Sequence, residues 1–128
     1  MDIPSGGSLR FETEERPEGM VAHVSGEVDL ANVTQFKASL EPALSNCRNI
    51  ILDVTNLRYI DSTGLRVLVD TNKVLQQNNC KLVVVGATPG MAKVIRILHL
   101  DEMMPLVSTV DEALNLLRPE SSAAASDG

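Results

Sequence analysis

The string Arg58-Tyr59-Ile60-Asp61-Ser62-Thr63-Gly64-Leu65 follows an apolar run, Ile50-Ile51-Leu52-Asp53-Val54, and opens a helical pattern, so it leaves a hydroxyl at a strand-to-helix turn. Phosphate chemistry suits that place. The first turn of a helix carries backbone N–H groups without partners, and their dipoles favour negative charge. A phosphate on Ser62 is therefore tolerated there without a basic side chain. A serine at a helix start also reads as a cap, and Asp61 would cap equally well; the two roles can coexist. Gly64 is a poor helix former, and its position one turn in calls for a reason. Absence of a side chain beside Ser62 and Thr63 would let another protein's backbone or a nucleotide phosphate come close.

Other chemistries find less support. Acyl transfer from Ser62 would need a base within hydrogen-bond reach and usually a Gly-x-Ser-x-Gly elbow. The elbow is absent, and nothing in the sequence positions His23 or His99, the only imidazoles, as a base. Asp53 lies within a strand and does not pair with Asp61 as acid and base. No Walker-type Gly-x-x-x-x-Gly-Lys-Ser occurs, and Gly86 to Gly90 is a Pro/Gly loop without the lysine, so the chain does not look able to bind ATP by itself. Cys47 and Cys80 are far apart, with no CxxC, so neither zinc nor a disulfide is indicated and they read as two ordinary thiols. No catalytic residue, metal or cofactor is assigned.

The elements that must hold the turn follow from periodicity. Leu9 to Glu15 and Met20 to Val28 read as strands of a hairpin around Arg16-Pro17-Glu18-Gly19. Ala31 to Ser45 is a helix with an apolar stripe at Val33, Phe36, Leu40 and Leu44. Ile50 to Val54 has the nearly continuous apolar content of a strand covered on both faces. The helix after the turn runs to about Asn79, with Leu65, Leu68, Val69 and Leu75 inward and Val67, Thr71 and Val74 on another face. Val67 and Val74 either meet a partner or pack under neighbouring helices. Lys81 to Val85 repeats the buried strand. Met91, Val94, Ile95 and Leu98 mark a third helix, Leu106 to Thr109 a last strand, and Val110 to Arg118 a final helix with Val110, Ala113, Leu114 and Leu117 inward and Pro119 ending it.

Two strands followed by alternating helices and strands predict an α/β domain: a mixed sheet of four or five strands, parallel where right-handed crossovers join it, with helices packed on it. At 128 residues and 44% hydrophobic content, one domain fills residues 9–119, with a flexible N-terminus at 1–8 and a disordered tail at 120–128. Phe11, Phe36 and Tyr59 are the only aromatics, and the formal charge is −6, which leaves little for base stacking or phosphate-backbone contact and argues against nucleic acid. No run approaches the ~18 apolar residues of a membrane span and no signal pattern opens the chain, so a cytoplasmic protein is expected.

Ile60-Asp61-Ser62-Thr63-Gly64-Leu65, together with Gly26-Glu27-Val28-Asp29 before the first helix and the order of elements, resembles the anti-sigma factor antagonist family, the STAS-domain proteins of bacterial partner-switching systems. The resemblance runs from about Leu9 to Arg118. It implies that Ser62, directly after the aspartate, is phosphorylated by an anti-sigma factor that is also an ATP-dependent serine kinase, the ATP being the kinase's own. The unphosphorylated form would bind that anti-sigma factor and free the sigma factor, and a metal-dependent serine phosphatase would reverse the mark. It implies a docking surface of Asp29, Asp61 and Thr63 with the helix start, Gly64, Leu65 and Arg66; Arg66 stands where the family often has a second glycine. Thr63 is a possible secondary acceptor. The alternative within the fold is a STAS-type structural subunit of a lipid-transport ATPase, whose serine region contacts another subunit without switching.

Overall fold

The computed structural model describes residues 8–118. The expected tail at 120–128, the helix stop at Pro119 and all but the last residue of the expected flexible 1–8 segment lie outside the described residues. Ser8 itself is tied down: its carbonyl accepts the Glu27 amide at 3.1 Å.

Five strands form one mixed sheet in the order β1 (Leu9–Arg16), β2 (Gly19–Val28), β3 (Ile50–Ile60), β4 (Leu82–Val85), β5 (Leu106–Val107). The β1–β2 hairpin is antiparallel, and every later neighbour is parallel. Parallel neighbours require crossovers, supplied by α1 (Val33–Ser45), α2 (Ser62–Gln77) and α3 (Pro89–Ile97). Right-handed crossovers that all step the same way across a sheet deposit their helices on the same face. One core accordingly joins Phe36, Leu40, Leu68, Leu75, Met91 and Ile95 to Met20, Ala22, Ile50, Leu52, Leu82 and Val84. The residues between them in the pleat, Val21, Ile51, Val83 and Val85, point the other way and are covered by Ala113, Leu114 and Leu117 of α4 (Val110–Leu117). Coverage on both faces explains why these central strands are apolar throughout.

The predicted elements are all present, with differences that bear on the site. β3 continues six residues past Val54, because Ser25 to Val28 of β2 pair with Asn56 to Ile60 after β4 has ended. On α2, Thr71 of the second face is itself buried, at 4% exposure beside Asn72, while Leu65 and Val69 of the inward stripe are only half-buried. On α3, Met91 and Ile95 are inward as expected, but Val94 and Leu98 are exposed. That helix buries a narrow strip including Ala92 and leaves the rest of its apolar surface in water.

Candidate functional site

β2 and β3 are parallel neighbours in register at Val28 and Ile60, so their C-terminal ends reach the same edge of the sheet. The two turns that follow, Asp29 to Asn32 and Asp61 to Gly64, therefore lie side by side. In open α/β sheets this is the edge where ligands and partners are met. The first turn is closed by its own side chains: the Ala31 amide donates to Asp29 Oδ1 at 3.0 Å, the Asp29 amide to Asn32 Oδ1 at 3.0 Å, and Asn32 Nδ2 to the Glu27 carbonyl at 2.9 Å. The second turn is anchored to the first strand by the Asp61 amide, which donates to the Val28 carbonyl at 3.1 Å.

Asp61 is the cap of α2. Its backbone is extended, and Oδ1 accepts the Thr63 amide at 2.9 Å and the Gly64 amide at 3.2 Å. The Thr63 hydroxyl donates to the same oxygen. That hydroxyl, with the amides of Gly64, Thr63 and Leu30, holds the Asp61 carboxyl below its ordinary pKa against an opposing effect of burial.

Ser62 is the first residue of α2 and is exposed, and its hydroxyl has no hydrogen-bond partner among the described residues. The cap thus settles on Asp61, and the serine is left available. Asp61 also takes up the amides of Thr63 and Gly64, so a phosphate on Ser62 would find its own amide and the helix dipole rather than a ring of open donors. Arg66, one turn on, is exposed and pairs with Asp70, its Nε lying 3.3 Å from Oδ1.

Gly64 is buried and faces inward. A Cβ built there would stand 2.6 Å from Ile60 Cγ1 and 2.8 Å from Val28 Cγ1. The missing side chain lets α2 settle on the ends of β2 and β3; it does not open the surface to a partner, as the sequence pattern suggested. Ser62, Thr63, Leu65 and Arg66 border one groove, and Asp29 and Asp61 stand in the two adjacent turns.

A shallow apolar groove of about 570 Å³ runs beside Ser62, lined by Val33 of α1, Leu65, Val67 and Val69 of α2, and Leu98 and Leu100 beyond α3. Val67 packs against the core, and part of it also lines this groove. Val74, at 38% exposure, lies outside it. Leu30, Ile97 and Leu98 are 74%, 63% and 54% exposed. Sequence reasoning missed these residues. Leu30 is legible as a large apolar residue between Asp29 and Asn32 in its turn, whereas helical periodicity puts Leu98 on the inward stripe.

His23 and Asp53 are opposite each other on β2 and β3, with Nδ1 2.8 Å from Oδ2. Burial alone would raise the Asp53 pKa, but the hydroxyl and amide of Thr55 and the His23 contact outweigh it and hold the carboxyl low. Asp53 precedes Asp61 by eight residues, on the order of 25 Å of strand, so this pair is remote from the Ser62 hydroxyl. His99 is exposed and sits 3.4 Å from Glu102. No helix among the described residues is long and apolar enough to cross a membrane.

The comparisons with known proteins agree with this architecture. A family model described as STAS domain matches residues 10–113. The anti-sigma-B factor antagonist of Staphylococcus aureus is 31% identical over 98 residues, covering 76% of this chain and 91% of that protein. The crystal structure of an anti-sigma factor antagonist from Mycobacterium paratuberculosis superposes with a TM-score of 0.79 at 25% identity, over 87% of this chain and 95% of that one. The Bacillus cell fate determinant SpoIIAA, solved in its phosphorylated form, gives a TM-score of 0.70 at 25% identity, over 85% of this chain and 100% of that one. Matched by that family model from residue 10 to residue 113, most of the described domain, the chain belongs to the STAS domain family.

Proposed function

We propose that the protein is an anti-sigma factor antagonist: a binding protein rather than an enzyme, whose unphosphorylated form holds an anti-sigma factor in the cytoplasm and so frees a sigma factor. The observation that carries this reading is the exposed, unpartnered Ser62 hydroxyl at the first residue of α2, set against an apolar groove. The name of the Staphylococcus relative supports the class of partner. The phosphorylated form of the Bacillus relative supports a phosphoryl switch.

The switch needs few parts from this chain. An anti-sigma factor that is also a serine kinase supplies ATP. The Ser62 oxygen attacks the γ-phosphorus, its proton passes to a base of the kinase, and ADP leaves. This chain contributes the positioned hydroxyl. Phosphorylation adds about −1.5 to −2 charges beside the Asp61 carboxylate, which its hydrogen bonds keep ionised. Burying that charge unpaired in an interface costs roughly 2–5 kcal/mol, which is about two to three orders of magnitude in affinity at the middle of the range. The fold is untouched because Ser62 supports nothing else. A metal-dependent serine phosphatase would restore the hydroxyl and the binding surface. Leu30, Leu98 and the groove give the partner apolar area to cover, and Asp29, Thr63, Leu65 and Arg66 frame it.

The test is phosphorylation by the partner kinase with ATP and Mg²⁺, site mapping by mass spectrometry, and capture of the kinase on the modified and unmodified protein. Incorporation at Ser62 alone, with capture only by the unmodified form, supports the proposal. Modification elsewhere, or equal capture by both forms, overturns it.

A further inference from the structure

Cys47 and Cys80, 33 residues apart in the chain, are neighbours in the fold. Cys47 lies in the turn after α1 with a left-handed backbone, φ 54°, and Cys80 lies in the turn after α2. The Cys80 thiol donates to the Cys47 carbonyl at 3.0 Å. The segments that follow are laced together: the Lys81 amide donates to Asn49 Oδ1 at 2.9 Å, and the Ile50 amide to the Lys81 carbonyl at 2.9 Å. Cys47 is exposed and Cys80 half-buried. We propose that Cys47 and Cys80 form a reversible intramolecular disulfide when the protein meets a peroxide, a redox site at the end of the domain away from Ser62.

The two cysteines are close to disulfide spacing. A sulfur in contact with the other cysteine's carbonyl oxygen leaves the two Cα atoms at most about 8 Å apart through covalent bond lengths, and disulfides span about 4.4–6.8 Å. The adjustment required is on the order of an ångström. It falls on an exposed turn residue, which is the part of the chain that yields most easily.

The chemistry divides between the two sulfurs. Cys47 is the one an oxidant reaches. Its thiol loses a proton to solvent and the thiolate attacks a peroxide oxygen; the S–O bond forms, the O–O bond breaks, and the departing hydroxide takes a proton back from solvent and leaves as water, giving a sulfenic acid. The sulfur of Cys80 then attacks that of Cys47, forming S–S and breaking S–O, and the departing hydroxide takes the Cys80 proton to leave as a second water. Two thiols and one peroxide thus become one disulfide and two waters, the sulfurs losing the two electrons that the peroxide gains. Burial, with a smaller push from a Cys47 thiolate nearby, raises the Cys80 pKa and keeps it protonated, so Cys80 is not the sulfur that meets the peroxide first.

The bridge would close a loop containing all of β3 and α2. It would tie the α1 and α2 turns together and restrict the unfolded chain. Because α2 has 16 residues, at 1.5 Å per residue its far end lies about 24 Å from Ser62. Oxidation is therefore expected to stabilise the domain and leave phosphorylation of Ser62 unaltered. In a reducing compartment such a bond is transient and is reopened by a dithiol.

The experiment treats the whole protein with one equivalent of hydrogen peroxide and blocks remaining thiols with N-ethylmaleimide. Intact and peptide masses are then read with and without dithiothreitol. The expected result is a monomer lighter by two hydrogens, with no maleimide added and a Cys47–Cys80 peptide pair that dithiothreitol separates. Its Tm should exceed that of the reduced protein by several degrees, a gain absent from Cys47→Ser and Cys80→Ala. Oxygen added to Cys47 while Cys80 still takes maleimide, a Cys47-linked dimer, or two unreacted thiols would each overturn the proposal. Since the readout uses neither kinase nor phosphate, it stands apart from the switch assigned to Ser62.

Discussion

Asp61 accepts both the amide of Thr63, at 2.9 Å, and its hydroxyl, and so makes unlike groups of the two adjacent hydroxyls at the start of α2. The Thr63 hydroxyl is half-buried and engaged in the cap, whereas that of Ser62 is exposed and unengaged among the described residues. To accept a phosphoryl group Thr63 would have to abandon the cap, which the sequence alone could not tell.

The first prediction is selectivity within the pair. Ser62→Ala should abolish phosphorylation, and Thr63→Ala should leave Ser62 modified by the same kinase. The stability effects should run the other way, with Ser62→Ala within about 0.5 kcal/mol of wild type and Thr63→Ala losing about 1.5 kcal/mol, the low end for a hydrogen bond to a charged group because the site is only half-buried. Mass spectrometry and urea denaturation of the two variants read both halves. Modification of Thr63 in Ser62→Ala would contradict the argument.

How much of this was legible can be judged from β3. Ile50 to Val54 declared itself because both faces are covered, but Thr55 to Ile60 pairs only with β2 and is mostly exposed, so it lacks the apolar run that marks a buried strand. The helix start at Ser62 was readable because capping chemistry is local. The groove was not, since Val33, Leu65, Leu98 and Leu100 come from separate elements that only the tertiary packing assembles. The same holds for the meeting of Cys47 with Cys80 and for the inward contacts of Gly64.

Asp61 predicts an acid-limb dependence of stability. Its folded pKa is depressed, so its contribution is fully present above the unfolded carboxyl value of about 3.9 and is lost as pH falls through the lower folded value. Asn caps a helix nearly as well as Asp but does not titrate. Asp61→Asn should therefore fall short of wild type by a constant amount above about pH 5, and the gap should close below about pH 4. Asp61→Ala, which removes the acceptor, should cost about 1 kcal/mol at neutral pH. Thermal melts at stepped pH test this, and a gap that widened on acidification would reverse the sign.

Gly64 predicts an internal clash. Alanine there gains roughly 1 kcal/mol of helix propensity, but its Cβ would stand 2.6 Å from Ile60 Cγ1 and 2.8 Å from the fully buried Val28. Overpacking of that kind costs about 1–3 kcal/mol, so Gly64→Ala should be destabilising by up to about 2 kcal/mol net. Adding Ile60→Val, which removes a contacting methyl group, should recover part of the loss. If Gly64→Ala instead were as stable as wild type yet failed to bind the kinase, the glycine would be serving the partner and not the packing.

Leu98 predicts where the partner sits. It is 54% exposed and lines the groove that Ser62 borders, although helical periodicity alone would have turned it inward. Covering a leucine side chain contributes about 1.5–3 kcal/mol, so replacing it with a carboxylate at a covered position should weaken kinase binding by about 10- to 100-fold or more. The fold should not respond, because the side chain stands mostly in water. Leu116 on α4 is the matched control: at 52% exposure it is as accessible as Leu98, but it lies on the helix packed against the opposite face of the sheet. Leu98→Asp should therefore lose affinity in a titration against the kinase while Leu116→Asp binds as wild type does. Equal loss in both variants would mean that net charge, and not the groove, governs association; no loss in either would move the interface away from Ser62.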